Sequence, residues 1–257
     1  MGLEKADRDL ILTTVLVVFY ILECLFPYFD TFGNKWRHAF RNLFIIGVNA
    51  VIINFSLLPL IRYSTDTSWG LFNAVDLDWG LELAATVILI DVLTYVMHVL
   101  FHRIPILWRF HRMHHSDTEM DVTSGSRFHI GEHAISISVR CELYALFAMK
   151  LENVVLYEAV FLANVLFHHA NVSVGEQLDR IYRVFLTSPN MHKVHHSDLK
   201  IETDSNYTSL FSLWDRLFGT FRIVRNPKDI KYGIKGLENQ QTITGMLLTP
   251  FKDLDTS

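Results

Sequence analysis

Cysteine is almost missing: Cys24 and Cys141 are the only two in 257 residues. That scarcity excludes a disulfide-stapled scaffold, and both lie in hydrophobic stretches, so both are expected to be buried thiols. It also excludes a cysteine-ligated iron–sulfur cluster. No glycine-rich dinucleotide fingerprint is present either. Charge of one sign is equally scarce. The chain has 23 Lys and Arg against 27 Asp and Glu, and no continuous basic stripe, so a nucleic-acid surface is excluded. No polar cleavage site follows the first apolar run, which argues against a removed signal peptide. No low-complexity linker divides the chain, and one domain over residues 1–257 is expected.

Apolar residues are abundant instead. They make up 50% of the chain, with 19 phenylalanines among them. Residues 10–26 form an apolar run of marginal length for a span, ended by Pro27. Residues 42–61 form a clear span interrupted by Asn49 and Asn54, and 79–101 form another, with Trp79 placed as an interface anchor. Two shorter apolar segments within 134–167 meet at Lys150 and read as a helical hairpin leaning into the bilayer or against protein. Lys35, Arg37, His38 and Arg41 fall in the loop 30–41, whereas Asp66, Asp76 and Asp78 fall in the loop 62–78. By the positive-inside rule the first loop is cytoplasmic. The expected fold is therefore an all-α integral membrane protein. Its catalytic regions, 102–133 and 168–231, should be cytoplasmic and rich in histidine.

Twelve of the thirteen histidines fall into five tight groups between His98 and His196. His98 and His102 end an apolar run; His111, His114 and His115 follow; His192, His195 and His196 repeat the same HxxHH spacing. Residues four apart share a helical face, so each triplet can present imidazoles together. So many imidazoles near apolar segments each need a hydrogen-bond partner or a metal. His38 stands apart and reads as a packed core residue. Imidazole suits iron, zinc and copper alike. A zinc site uses three or four protein ligands, fewer than half of the candidates His98, His102, His111, His114, His115, His169, His192, His195 and His196. Two adjacent metals account for that number better, with His129 close behind. Asp91 shares the helical face of His98 and either orients a ligand or bonds a neighbouring helix.

The ordered boxes resemble those of the membrane-bound fatty acid hydroxylase and sterol desaturase superfamily. His98 and His102 match its HxxxH box, and the two triplets match its HxxHH boxes. His129 lies in RFHIGEH, similar to the family's R-x-H-P-x-E, although Ile130 replaces the proline. His169 and Asn171 lie in FHHAN, similar to F-x-H-x-N, and Asn206–Tyr207 follow the last box. His133 and His168 have no counterpart. The similarity runs from about Leu83 to Phe218. It implies a di-iron oxygenase whose two iron ions use O2 to hydroxylate or desaturate a lipid. Glu132, Asn171 and Asn206 would be its further site residues. With no electron-carrying cofactor motif in the chain, electrons would come from a separate cytochrome b5-like protein or a ferredoxin with its reductase. Arg103, Arg109, Arg112, Lys193 and Lys200 are candidates for its docking face, or for contact with anionic headgroups. Phe101, Trp108, Phe110 and Phe128 are candidates for the substrate entrance. A zinc-dependent lipid hydrolase is the alternative. Metal transport or storage fits less well, because transport ligands belong near the bilayer midplane. The tail, 232–257, is expected to fold back over the catalytic region or onto the headgroups without supplying ligands.

Overall fold

The computed structural model describes residues 5–29, 34–75, 77–224 and 227–253, with side chains from residue 13 onward. Asp76 and residues 30–33 therefore lie outside the described residues. The architecture is all-α, with three isolated bridges and no extended strand among the described residues. The chain opens with α1 (Lys5–Leu25), α2 (Lys35–Ile52), α3 (Leu58–Ser64), α4 (Leu71–Ala74, a single turn) and α5 (Trp79–Arg103). After them come α6 (Pro105–His115), α7 (Ile130–Phe147) and α8 (Leu151–His169). The remainder is short: α9 (Glu176–Phe185), α10 (Pro189–His195), α11 (Lys200–Thr203), α12 (Leu213–Leu217) and α13 (Ile243–Leu248).

Local chemistry sets the boundaries that matter to the site. Asp78 caps α5 by accepting from the backbone N–H of Gly80 and Leu81 at 2.9 and 3.2 Å. At the other end, Pro105 opens α6 and holds Ile104 in an extended conformation, so the chain breaks just after His102 and turns back. α2 and α3 are joined through a π-helical turn, Ile53–Leu57, which carries the chain from Lys35 to Ser64 as one rod. Residues 35–41, expected as loop, are thus the first two turns of that rod. A hairpin turn with Ala148 in the left-handed region (φ 55°) joins α7 to α8.

Cross-links fix how the rods run. Glu82 at the start of α5 accepts from Asn153 (3.2 Å) and from Lys150 at the hairpin tip (2.5 Å). Further along, the Tyr157 hydroxyl donates to Asp91 at 3.0 Å. α8 therefore runs parallel to α5, and α7 runs against it, with Arg140 donating to Thr94 at 2.8 Å. The hairpin consequently reaches the far end of α5 rather than dipping partway. α1 lies along α8, where Phe19 and Phe167 pack at 5.3 Å. Three segments are long and apolar enough to cross a membrane among the described residues: Lys35–Ser64, Trp79–Arg103 and Leu151–His169. This makes the chain a membrane-associated helical protein, with every histidine box at one end of the bundle.

Two side chains depart from expectation, and a third, Asp91, settles on one of its two expected roles. Cys24 is exposed on α1 rather than buried, and its sulfur accepts from Lys35 Nζ at 3.3 Å; only Cys141 is in the core. Asp91 serves helix packing, because besides Tyr157 it accepts from Trp214 Nε1 at 2.7 Å. His38 is buried but is no apolar core residue: it bridges Asp117 (2.9 Å) and Asp121 (3.0 Å). The tail folds back on α6. Met246 packs on Met113 and Ile45, and the Arg112 guanidinium donates to the carbonyls of Thr249 and Lys252. Residues 254–257 lie outside the described residues.

Candidate metal centre

Three helix ends and one short helix converge. α5 delivers His98 and His102 in its last two turns, α6 the first triplet, α8 His169 in its last turn, and α10 the second triplet. The rings sort into two groups: His98, His102, His111, His115 and His195 in one; His114, His169, His192 and His196 in the other. Within each group the possible ligand atoms lie within 4.8 Å of one another. Each triplet divides between the groups. His111 and His115 take His195 from the other triplet, while His192 and His196 take His114. All nine rings are buried.

The hydrogen bonds on the outer nitrogens decide what the inner ones can hold. His98 Nδ1–H donates to the Tyr207 carbonyl (2.6 Å), and His195 Nδ1–H to that of Ser205 (2.7 Å). His169 Nδ1–H donates to the Val165 carbonyl (2.8 Å). His111 Nδ1–H meets the Glu132 carboxylate at 2.8 Å. A neutral ring with its proton on Nδ1 presents a bare lone pair at Nε2. Yet His98 Nε2 lies 3.0 Å from His111 Nε2 and 3.0 Å from His195 Nε2. Three lone pairs at that separation repel and cannot hydrogen-bond one another. A cation among them removes the repulsion.

Protonation is the other way to supply positive charge, and burial opposes it. Burial first, and then repulsion from neighbouring rings, holds His114, His115, His192, His195 and His196 well below the ordinary imidazole range. The spacing is also that of ligands on a shared ion. Nitrogens about 2.1 Å from one ion lie about 3.0 Å apart at a right angle and about 3.4 Å apart at the tetrahedral angle. The inner contacts of the second group, His114–His169, His169–His192 and His192–His196, are 3.2, 3.1 and 3.1 Å. Both groups therefore fit a metal ion.

Other expected site residues fall elsewhere. His129 joins neither group; it caps α7, its Nδ1 accepting from Gly131 N–H at 3.0 Å. Asn171 clasps the chain after α1, accepting from Phe29 N–H (3.0 Å) and donating to the Phe29 carbonyl (3.1 Å). Asn206 braces α10 from a left-handed backbone position (φ 52°) by donating to the carbonyls of Met191 and Arg222. The hydrogen bonds of these two asparagines go to backbone groups, and of the three proposed catalytic residues Glu132 is the one bonded to a ring of either group. His168 is buried with its ring 3.9 Å from that of His192, but it lies outside both groups, as does His133. Phe101 and Phe128 stack on His111 and His114 at 5.6 and 4.3 Å, and Trp108 lies 5.0 Å from His102, so these aromatics wall the rings. Phe110 packs on His129 instead, at 5.3 Å.

Two features escaped the sequence reading. The backbone acceptors at Tyr207, Ser205 and Val165 leave no mark in residue type. The pair Asp117 and Asp121 does, since both follow the first HHS closely. Burial alone would raise the Asp117 carboxyl, but His38 and Arg127 hold it well below the usual carboxylate range. This buried knot anchors the end of α6 to α2. The suggested basic docking face is also depleted: Lys193 and Arg112 are buried, and burial lowers the Lys193 amine to about 8.

The family model for fatty acid hydroxylase matches residues 83–220, a stretch that contains both ring groups. Among curated relatives, ornithine lipid hydroxylase OlsE of Rhizobium tropici is 34% identical over 144 residues, covering 55% of this chain and 42% of its own. Alkylglycerol monooxygenase of Danio rerio is 27% identical over 222 residues, covering 81% of this chain and 46% of its own. A cholesterol 25-hydroxylase-like protein of Danio rerio is 30% identical over 204 residues, covering 72% and 73%. The chain thus spans less than half the length of the first two. No solved structure matches it. Boxes, ring geometry and matched stretch coincide, and the chain belongs to the fatty acid hydroxylase and sterol desaturase superfamily.

Proposed function

We propose that the protein is a membrane-bound di-iron oxygenase that hydroxylates a lipid. The observation that carries this is the trio of bare Nε2 lone pairs in which that of His98 lies 3.0 Å from those of both His111 and His195, buried among further imidazoles. His98, His102, His111, His115 and His195 would hold one iron, and His114, His169, His192 and His196 the other. Bound there, the irons would supply O2 activation and hydrogen removal from an unactivated C–H bond, using electrons from a separate carrier protein.

The remaining work falls to the chain. Tyr207, Ser205, Val165 and Glu132 fix tautomers from the outer side, so the rings meet the metals preorganised. Phe101, Trp108 and Phe128 keep water from the rings and offer an apolar surface to a lipid tail. Hydroxylation is preferred to desaturation because the relatives named above are hydroxylases or monooxygenases by name. Their lipids differ, so the substrate class is an amphiphile with an apolar chain or ring system. Lys35, Arg37 and Arg41 at the histidine end of the bundle support a cytoplasm-facing centre.

The test compares lipids of cells expressing the parent chain or His114→Ala, by untargeted mass spectrometry, with iron measured on both purified proteins. About two irons per parent chain, and a lipid gaining one oxygen atom only with the parent, are expected. Identical lipid profiles from a well-expressed, iron-loaded parent and a folded variant would sink the assignment.

A further inference from the structure

The region after the hairpin reads as soluble from sequence, yet its packing places it beside the middle of a membrane-crossing helix. Asp91 sits twelve residues from each end of α5, about 18 Å from either end at about 1.5 Å per residue. At that midpoint Asp91 accepts from Trp214 Nε1 (2.7 Å) and from Phe211 N–H (3.3 Å). One turn further along, Tyr95 stacks on Phe218 at 5.3 Å and bonds Thr220 at 2.9 Å. α12 is therefore pinned to the central and following turns of α5. α9 is pinned to α12 in turn: Ser212 N–H donates to the Phe185 carbonyl at 3.0 Å, and Ser212 Oγ to that of Arg183 at 2.8 Å.

The outer faces of this unit are apolar. Leu178, Ile181 and Phe185 recur three and four residues apart on α9 and are 68%, 66% and 71% exposed; Leu217 on α12 is 65% exposed. The opposite face of α9 is polar and satisfied, with Arg183 paired to Asp179 and Glu176 at 2.5 and 2.6 Å. The helix is thus amphipathic with its apolar side outward, the reverse of a helix facing water. Arg216 turns its guanidinium back to the Ser212 and Arg183 carbonyls rather than standing on that face.

We propose that α9 and α12 lie in the hydrocarbon of the leaflet that surrounds the histidine end of the bundle, with lipid covering their outer faces. This rests on the reading that α5 spans a membrane. Two observations select lipid over a protein partner: the attachment point is the midpoint of a span, and the apolar face continues through Phe218 onto that span. The consequence is a metal centre partly sunk in the leaflet, reached by lipid from the side rather than from the aqueous surface.

Nitroxide labels placed singly in proteoliposomes test this, with Cys24 and Cys141 replaced by serine. Ile181→Cys and Leu217→Cys report on the unit, and Leu178→Cys stands in if either fails to express. Val160→Cys on the exposed side of α8 gives the lipid reference, and Lys200→Cys the water reference. Collisional relaxation by O2 relative to a water-soluble nickel chelate should be severalfold higher at 181 and 217 than at 200, and should match 160. Ratios matching position 200 would overturn the proposal. Shielding from both reagents would also overturn it, because protein, most simply a second copy, would then cover the face. A water-like signal at 160 would instead bring down the spanning reading, and this proposal with it.

Discussion

Glu132→Gln probes the ring geometry without deleting a ligand. Glu132 Oε1 is 2.8 Å from His111 Nδ1, and the carboxylate is buried, with its second oxygen lacking a protein partner. Gln keeps the shape and one acceptor oxygen but removes the charge that makes His111 Nε2 a stronger donor. Loss of such a partner costs about 10–100-fold in metal affinity, or about 1.4–2.7 kcal/mol. The penalty should fall on one metal of two, because His111 belongs to the five-ring group and no ring of the four-ring group contacts Glu132. Chelator titration of purified protein, followed by elemental analysis, should release one equivalent about 10–100-fold earlier than in the parent while the other leaves as before. Release of both equivalents on the parental curve would show that Glu132 does not tune His111. Parallel shifts of both would show that the two groups do not hold separate ions.

Four further outcomes are expected. His114→Ala removes one of only four rings in its group and should cost about one metal equivalent as well as lipid oxidation, read by elemental analysis and product formation. His38→Ala leaves the buried Asp117 and Asp121 without their shared partner and should destabilise by about 3–5 kcal/mol; an unchanged melting temperature in detergent would contradict this. Truncation after Lys231 removes Met246 from Met113 and the carbonyl acceptors from Arg112, so melting should fall while metal per folded chain is retained. For orientation, Ser64 and Ser197 are buried, so exposed neighbours must carry the labels. Glu152→Cys at the hairpin tip should react with an impermeant thiol reagent in intact cells and Lys200→Cys should not; the reverse pattern would invert the topology.

Periodic features were legible from residue types, and features set by a distant partner were not. Apolar runs of about 20 residues announce themselves because hydrocarbon demands them. The spans and the hairpin follow from that, although the hairpin's full reach depends on Glu82 meeting Lys150 and Asn153 across the bundle. The nine clustered histidines were legible because their number and spacing exceed what packing needs. His129, Asn171 and Asn206 sit in equally suggestive motifs, but each side chain bonds a backbone N–H or carbonyl, a partner that residue type does not announce. Cys24 is exposed near the end of α1, where its sulfur meets Lys35 at the start of α2, a placement that hydropathy cannot register. His38 shows the same limit in the other direction, since its two carboxylate partners lie 79 and 83 residues away.

The division of each triplet follows from helix geometry and explains why the motif is HxxHH rather than HxxxH alone. At about 100° per residue, His111 and His115 are about 40° apart, whereas His114 is about 60° from one and about 100° from the other. A single helix can therefore aim two rings at one ion and the third at a second ion beside it. α10 does the same with roles exchanged: His192 and His196 join the group that contains His114, and His195 joins the group that contains His111 and His115. The two short helices thus each contribute rings to both groups. Neither triplet completes a site alone. His98 and His102 then add to one group and His169 to the other, each from the end of a long apolar helix. The membrane rods, by fixing where those ends stand, fix how far apart the two ring groups lie.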